Sequence, residues 1–197
     1  MLKRSFDIIV SLLVLIILLP FFILIAILII IDDGWPVFYL QERVGKDFKT
    51  FRLIKFRTMY KDASKYGLLT IGSKDKRVTK IGYYLRKYKL DELPQFINVL
   101  VGDMSIVGPR PEVKKYVDLY TDEQKKVLSV KPGITDEASL KYIDENDILA
   151  TSENPEKTYI EKIMPEKLNI NLEYIHNQSL IKDIEIIFKT FIKMFFR

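Results

Sequence analysis

Eight charged residues have types and spacing that suit phosphate chemistry. Asp91 and Glu92 are adjacent carboxylates followed by Pro94, and Arg77, Lys80, Arg86, Lys87 and Lys89 precede them closely. Arg110 follows, held between Pro109 and Pro111. Acidic residues suit the first turn of a helix, and proline is tolerated there because the first amides have no intrahelical partner. The segment therefore predicts a helix opening at Asp91-Glu92-Leu93-Pro94, running through Leu100 and stopping at Gly102. At such a start, free amides and the helix dipole favour anions and keep both carboxylates ionised. Paired carboxylates among cations point to a divalent metal acting on a phosphorylated substrate. The same Asp-Glu pair is also what an ordinary helix cap carries, and spacing alone does not separate the two readings.

Composition narrows the chemistry. The 197 residues leave room for one domain with a real core, and the net charge of +5 favours an anionic partner: nucleic acid, a membrane surface or a phosphorylated substrate. There is no cysteine and one histidine, His176. That excludes disulfides, thiol nucleophiles and cysteine metal sites, and leaves little scope for a Ser-His-Asp triad or a multi-histidine metal centre. Covalent catalysis would have to use a carboxylate, a hydroxyl or a lysine.

Other elements must bring these groups together. Ile8 to Ile31 carries no charge, and only Ser11 and Pro20 interrupt its apolar run. It is long enough to span a bilayer. Proline at its centre removes an amide and clashes with the preceding turn, which predicts a kink. Lys3 and Arg4 lie before the run and a basic domain lies after it. A helix that enters, bends at Pro20 and returns keeps both positive flanks on the cytoplasmic face; a straight span satisfies one.

Pro36–Val44 and Phe48–Met59 predict a β-hairpin around Gly45-Lys46-Asp47. Tyr60–Lys76 reads as a loop and Thr79–Tyr88 as a short helix presenting Arg86, whose planar fork suits two phosphate oxygens. The prolines beside Arg110 hold it preorganised for an anion. Glu112–Tyr120 and Asp122–Val130 predict surface helices, and Pro155 and Pro165 each open another. Ser179 caps a last helix whose Leu180, Ile184, Ile187, Phe188, Phe191 and Phe195 recur at helical spacing among lysines. It suits either a core helix or an amphipathic one lying in a membrane interface. No nucleic-acid-binding module is recognisable, so nucleic acid is not expected as a partner.

LDELPQFINVLVGDMSIVGPRPE, with QERVG, KFRTM and KPGIT, resembles the bacterial sugar transferase family, the monotopic phosphoglycosyl transferases. The likeness is strongest over residues 41–59 and 77–135. It implies an α+β protein: a re-entrant membrane helix over residues 1–33, then a cytoplasmic interfacial catalytic domain over 34–197, with a small hairpin, mostly helical, with amphipathic interfacial helices. It implies transfer of a sugar-1-phosphate from a UDP-sugar to a polyprenol phosphate such as undecaprenyl phosphate, beginning bacterial glycan assembly at the cytoplasmic face of the inner membrane. Asp91 would attack the sugar-bearing phosphorus, forming an aspartyl phosphosugar and releasing UMP. Magnesium would be held by Asp91 or Glu92, with Asp183 as a third acidic contributor, and Lys55, ahead of Arg57, would join Arg86 and Arg110 on the phosphates. The chain departs from the family at Leu19, where a serine often precedes the proline, and after KPGIT, where DEASLKYIDENDI replaces the usual Gly-Leu run and later Gly-Arg, with Ile143 where a basic residue is expected. The latter leaves the sugar open, and the sequence does not set the oligomeric state. A membrane-anchored metal-dependent phosphatase or pyrophosphatase, and a non-catalytic anion-binding membrane protein, are the competing readings.

Overall fold

Leucine, isoleucine and valine dominate residues 8–31, and the chain forms a single long helix there, α1 (Leu2–Asp33), with Pro20 inside it. In this computed structural model, residues 2–61, 63 and 75–195 are described; most of the predicted 60–76 loop lies outside them. The middle of α1 stands away from the rest of the protein, with Ile16, Ile17, Leu19 and Ile23 all exposed. It is the one helix among the described residues long and apolar enough to cross a membrane by length and composition.

Both ends of α1 are tied to the same domain. At the start, Arg4 donates to the carbonyls of Val99 and Leu100, and the buried Asp7 accepts from the amide of Ile106. At the finish, Asp32 accepts from the Ile81 amide, and Arg57 pairs with Asp33 while donating to the carbonyls of Asp33, Gly34 and Pro36. Arg57 is thus committed to the end of α1 and is not placed for substrate. Phe6 and Val10 pack in a cluster that includes Leu53, while Phe22, Ile25 and Ile29 pack in one that includes Phe56. Val10 and Ile25 would be about 22 Å apart in a straight helix, whereas Leu53 and Phe56 lie about 10 Å apart along a strand. Pro20, whose missing amide weakens the helix, lies between these two contacts.

The hairpin forms as expected from β1 (Phe38–Val44) and β2 (Thr50–Phe56), antiparallel, with Tyr39 opposite Lys55. Its loop turns through Asp47 and Phe48, both at positive φ. Helix α2 (Lys80–Lys87) is capped by the Thr79 hydroxyl, which accepts from the Gly82 amide. Lys89, in the left-handed region at φ 56, redirects the chain into a tight helical turn, Leu90–Glu92. Leu93 and Pro94 keep helical angles and lead into α3 (Gln95–Val101), which ends at Gly102 with φ 100.

Sequence patterning did not reveal a second sheet. β3 (Ser105–Val107) pairs in parallel with β4 (Gly133–Thr135), joining the VGPRP and KPGIT blocks. The two backbones touch where the glycines stand: a Cβ on Gly133 would lie 2.1 Å from the amide nitrogen of Gly108.

The predicted surface helices between 112 and 130 are shorter and more buried than expected. α4 (Lys114–Val117) and a 3-10 turn at Gln124–Ser129 carry Tyr116, Val117, Val127 and Leu128 into a core shared with Tyr159, Ile163 and Leu168. α5 (Glu137–Lys141) and α6 (Glu145–Ala150) follow. The two helices expected at Pro155 and Pro165 are continuous: α7 (Pro155–Thr158) passes through a π turn at Tyr159–Ile163 into α8 (Met164–His176). Pro165 cannot donate to the carbonyl four residues back, and the widened turn accommodates that gap. In α9 (Leu180–Phe195), Asp183 and Ile186 are buried whereas Ile181, Ile184, Phe188 and Phe191 are exposed, so the helix packs along one face and presents apolar side chains on another.

Candidate active site

Three elements converge on the acidic pair. The turn after Lys89 supplies Asp91 and Glu92, β2 supplies Lys55, and the proline-braced segment after β3 supplies Arg110. Lys55 Nζ lies 3.0 Å from Glu92 Oε1. Arg110 reaches the same carboxylate with two nitrogens, Nη1 to Oε2 at 3.1 Å and Nη2 to Oε1. This forked pairing is the arrangement guanidinium geometry favours. Burial alone would push Glu92 up, but Arg110 and Lys55 outweigh it and hold Glu92 well below the usual carboxylate range. Glu92 in turn raises Arg110, and burial lowers Lys55 despite the attraction of Glu92.

Asp91 behaves oppositely. It is buried, with 8% of its surface exposed, and among the described residues none donates a hydrogen bond to its carboxylate. Burial raises it, the charge of Glu92 raises it further, and Lys55, Arg86 and Lys89 offset this only in part. The expectation that a helix start keeps both carboxylates readily ionised is therefore corrected for Asp91: desolvation at a tight turn outweighs the local dipole. Two neighbouring carboxylates driven apart in this way are suited to different tasks.

Arg86 is mostly buried near the pair, and its Nε donates to Thr58 Oγ1 at 2.8 Å. That hydroxyl orients the guanidinium from behind. Asp183 is placed elsewhere. Its carboxylate pairs with Lys3 of α1 and accepts from the Tyr174 hydroxyl, and Tyr174 also takes a hydrogen bond from Gln178. Among the described residues no group of three or more metal-ligating side chains forms, so Asp183 does not complete a three-carboxylate site. It fastens the start of α1 to α9 instead.

A supporting layer escaped the sequence reading. Arg43, buried in β1, donates to the Pro111 carbonyl at 3.1 Å and to Glu112 Oε1 at 2.9 Å, and the Tyr159 hydroxyl donates to the other oxygen of Glu112. These contacts brace the backbone directly after Arg110. The charge of Glu112 was visible in GPRPE, but its partners lie far away in sequence.

An apolar helix of membrane length, fixed to the domain at both ends, thus accompanies a carboxylate pair ringed by cations. The chain belongs to the bacterial sugar transferase family, whose model matches residues 1–197. It is 36% identical over 192 residues to a UDP-N-acetylgalactosamine-undecaprenyl-phosphate N-acetylgalactosaminephosphotransferase of Aeromonas hydrophila, covering 96% of this chain and 42% of that protein. It is 34% identical to the exopolysaccharide production protein ExoY of Sinorhizobium fredii, covering 95% and 83%. With the UDP-glucose:undecaprenyl-phosphate glucose-1-phosphate transferase of Escherichia coli it shares 38% identity, covering 99% and 40%. The chain thus spans about two-fifths of the Aeromonas and Escherichia proteins and most of ExoY.

Proposed function

We propose that the protein transfers a sugar-1-phosphate from a UDP-sugar to a polyprenol phosphate at the cytoplasmic face of a bacterial membrane. The observation that carries this reading is the asymmetry of the pair: Glu92 is saturated by Lys55 and Arg110, while Asp91 is buried and receives no hydrogen bond from the described residues. The names of the relatives support the substrate classes.

In the first step an Asp91 oxygen attacks the sugar-bearing phosphorus. The bond from that phosphorus to the UMP oxygen breaks, and UMP leaves with the electron pair. In the second step an oxygen of polyprenol phosphate attacks the same phosphorus, and the bond to Asp91 breaks, restoring the carboxylate. Carboxylate is a weak nucleophile but a good leaving group, which keeps both steps passable. The incoming phosphate oxygen is already anionic and needs no strong base. Arg86 is held at the mouth by Thr58, and Arg110 and Lys55 have positive charge to share with phosphate oxygens.

Magnesium fits the donor set. Asp91 is raised by desolvation and by the charge of Glu92, which Lys55, Arg86 and Lys89 offset only in part, and a divalent cation held by Asp91 or Glu92 would add positive charge there. When bound, such an ion would neutralise charge on the pyrophosphate. The bent α1, fixed to the domain at both ends, would enter and leave one leaflet and hold the site where a soluble nucleotide and a lipid phosphate meet. The exposed apolar stripe of α9 would rest on the same interface.

The test is UMP release from a panel of UDP-sugars with magnesium and polyprenol phosphate, for wild type and Asp91→Asn. Lipid-dependent release by wild type, abolished in the variant, is expected. Steady release without lipid would indicate hydrolysis, and no release from any sugar nucleotide would sink the transferase reading.

A further inference from the structure

Asn98 has no charge, lies in the middle of α3 and is 1% exposed. Its side chain nevertheless performs a backbone's task. Among the described residues the sheet of β1 and β2 has two strands, so the outer edge of β2 has no strand partner among them. On that edge Ile54 offers an amide and Arg52 a carbonyl. Asn98 Oδ1 accepts from the Ile54 amide at 3.0 Å, and Nδ2 donates to the Arg52 carbonyl at 2.8 Å. One carboxamide supplies the donor and acceptor that a third strand would have supplied.

The backbone of Asn98 is equally committed. Its carbonyl accepts from the amides of Gly102, Asp103 and Met104, at 3.1, 3.0 and 3.2 Å, which closes α3. Nδ2 also lies 3.4 Å from Asp103 Oδ2. Asn98 is therefore fixed within the helix before it fixes the strand. The residue after Ile54 is Lys55, and the helical segment that carries Asn98 begins just after Glu92. The 3.0 Å contact between Lys55 and Glu92 is thus a contact between β2 and the segment leading into α3, and Asn98 joins the two through hydrogen bonds to the Arg52 carbonyl and the Ile54 amide, which flank Leu53.

We infer that Asn98 is a positioning residue for the active site: it sets the register of β2 against α3 so that Lys55 meets Glu92. Lys55, with Arg110, then holds the Glu92 carboxylate in place. The inference rests on the transferase reading where it concerns turnover, and on geometry alone where it concerns the strand.

Two measurements test it. Hydrogen exchange on the full-length protein in detergent or lipid nanodiscs reads the strand directly. The Ile54 amide is protected in wild type and loses that protection in Asn98→Ala, while the Lys55 and Leu53 amides, on the β1 side, keep theirs. Turnover reads the consequence. Asn98→Ala lowers kcat on the order of ten- to a hundredfold, as misplacement of a reacting group does. In a Lys55→Met background the same substitution lowers it little further, because the two changes remove one interaction. A residue that only stabilises the fold would instead give equal, multiplying losses in both backgrounds. Should Asn98→Ala not fold, Asn98→Asp keeps the acceptor for Ile54 and loses the donor to Arg52, so Ile54 stays protected while kcat falls by a smaller factor.

Unchanged exchange at Ile54 in Asn98→Ala, or multiplying losses in the kinetic cycle, would overturn the inference. Failure of the wild type to release UMP would count against the transferase reading and leave the exchange result to decide the positioning role.

Discussion

At the scale of single residues, the acidic pair combines one stabilised and one destabilised carboxylate, and this gives opposite predictions for two isosteric changes. Asp91 is raised, so its protonated form is favoured in the fold. Its contribution to stability is present below the ordinary aspartate value and is lost as pH rises through the raised folded value. Asp91→Asn should therefore abolish turnover while leaving the protein as stable or more so at neutral pH, by up to about 2 kcal/mol, since a buried charge that receives no hydrogen bond from the described residues is removed. Denaturant unfolding at pH 7.5 beside the UMP assay checks both halves; a large loss of stability would mean that Asp91 is a structural cap. Glu92 is lowered, so its contribution is present above the ordinary glutamate value and is lost as pH falls through the depressed folded value. Glu92→Gln, which leaves Lys55 and Arg110 without their anion, should cost about 2 kcal/mol at pH 7.5. The cost should shrink towards zero as the pH is lowered through the acid range. A cost independent of pH would assign it to packing rather than to charge.

At the scale of elements, the site depends on close approach as much as on charge. Gly82 sits in the first turn of α2, and a Cβ there would lie 2.1 Å from the Thr58 carbonyl oxygen. The same carbonyl accepts from the Thr79 amide at 3.0 Å, and the Thr58 hydroxyl orients Arg86. Gly82→Ala must push α2 off the segment that follows β2 at Thr58. It should cost about 1–3 kcal/mol, as overpacking does, and raise the KM for sugar nucleotide because Arg86 moves with the helix. Unchanged unfolding midpoint and KM would show that α2 shifts freely.

Elements of this kind divide clearly into those legible in the sequence and those not. The hairpin, α2, the acidic turn and α9 are each written in local patterns: alternation, caps, a proline, a 3.6-residue repeat. The parallel pairing of β3 with β4 joins segments of three residues, too short for any periodicity. The exchange of Asp183 from expected metal ligand to partner of Lys3 depends on a contact across most of the chain length. Arg43, Glu112, Tyr159 and Asn98 were equally hidden, since what marks them is the identity of distant partners. Their own types and spacing carry no such signal.

At the scale of the whole molecule, the unusual feature is that a helix of membrane length is closed back on its own domain. Lys3 and Arg4 at one end and Asp32 and Asp33 at the other all spend their charge on the same body. A straight crossing would strand the first pair on the far side of the bilayer, away from Asp183, Val99 and Leu100. The chain has no cysteine, so single substitutions report sidedness without background. Leu2→Cys on α1 and Lys157→Cys on α7, both at exposed positions, should react with a membrane-impermeant maleimide from the same side of sealed inverted vesicles. Labelling of Leu2→Cys only from the opposite side would refute the bent helix. Pro20→Ala separates the cause from the topology. If the missing amide at residue 20 allows the bend, restoring it should straighten α1 and pull Lys3 from Asp183. Residue 2 should then become labelled from both sides, and the UMP-releasing activity should fall in proportion.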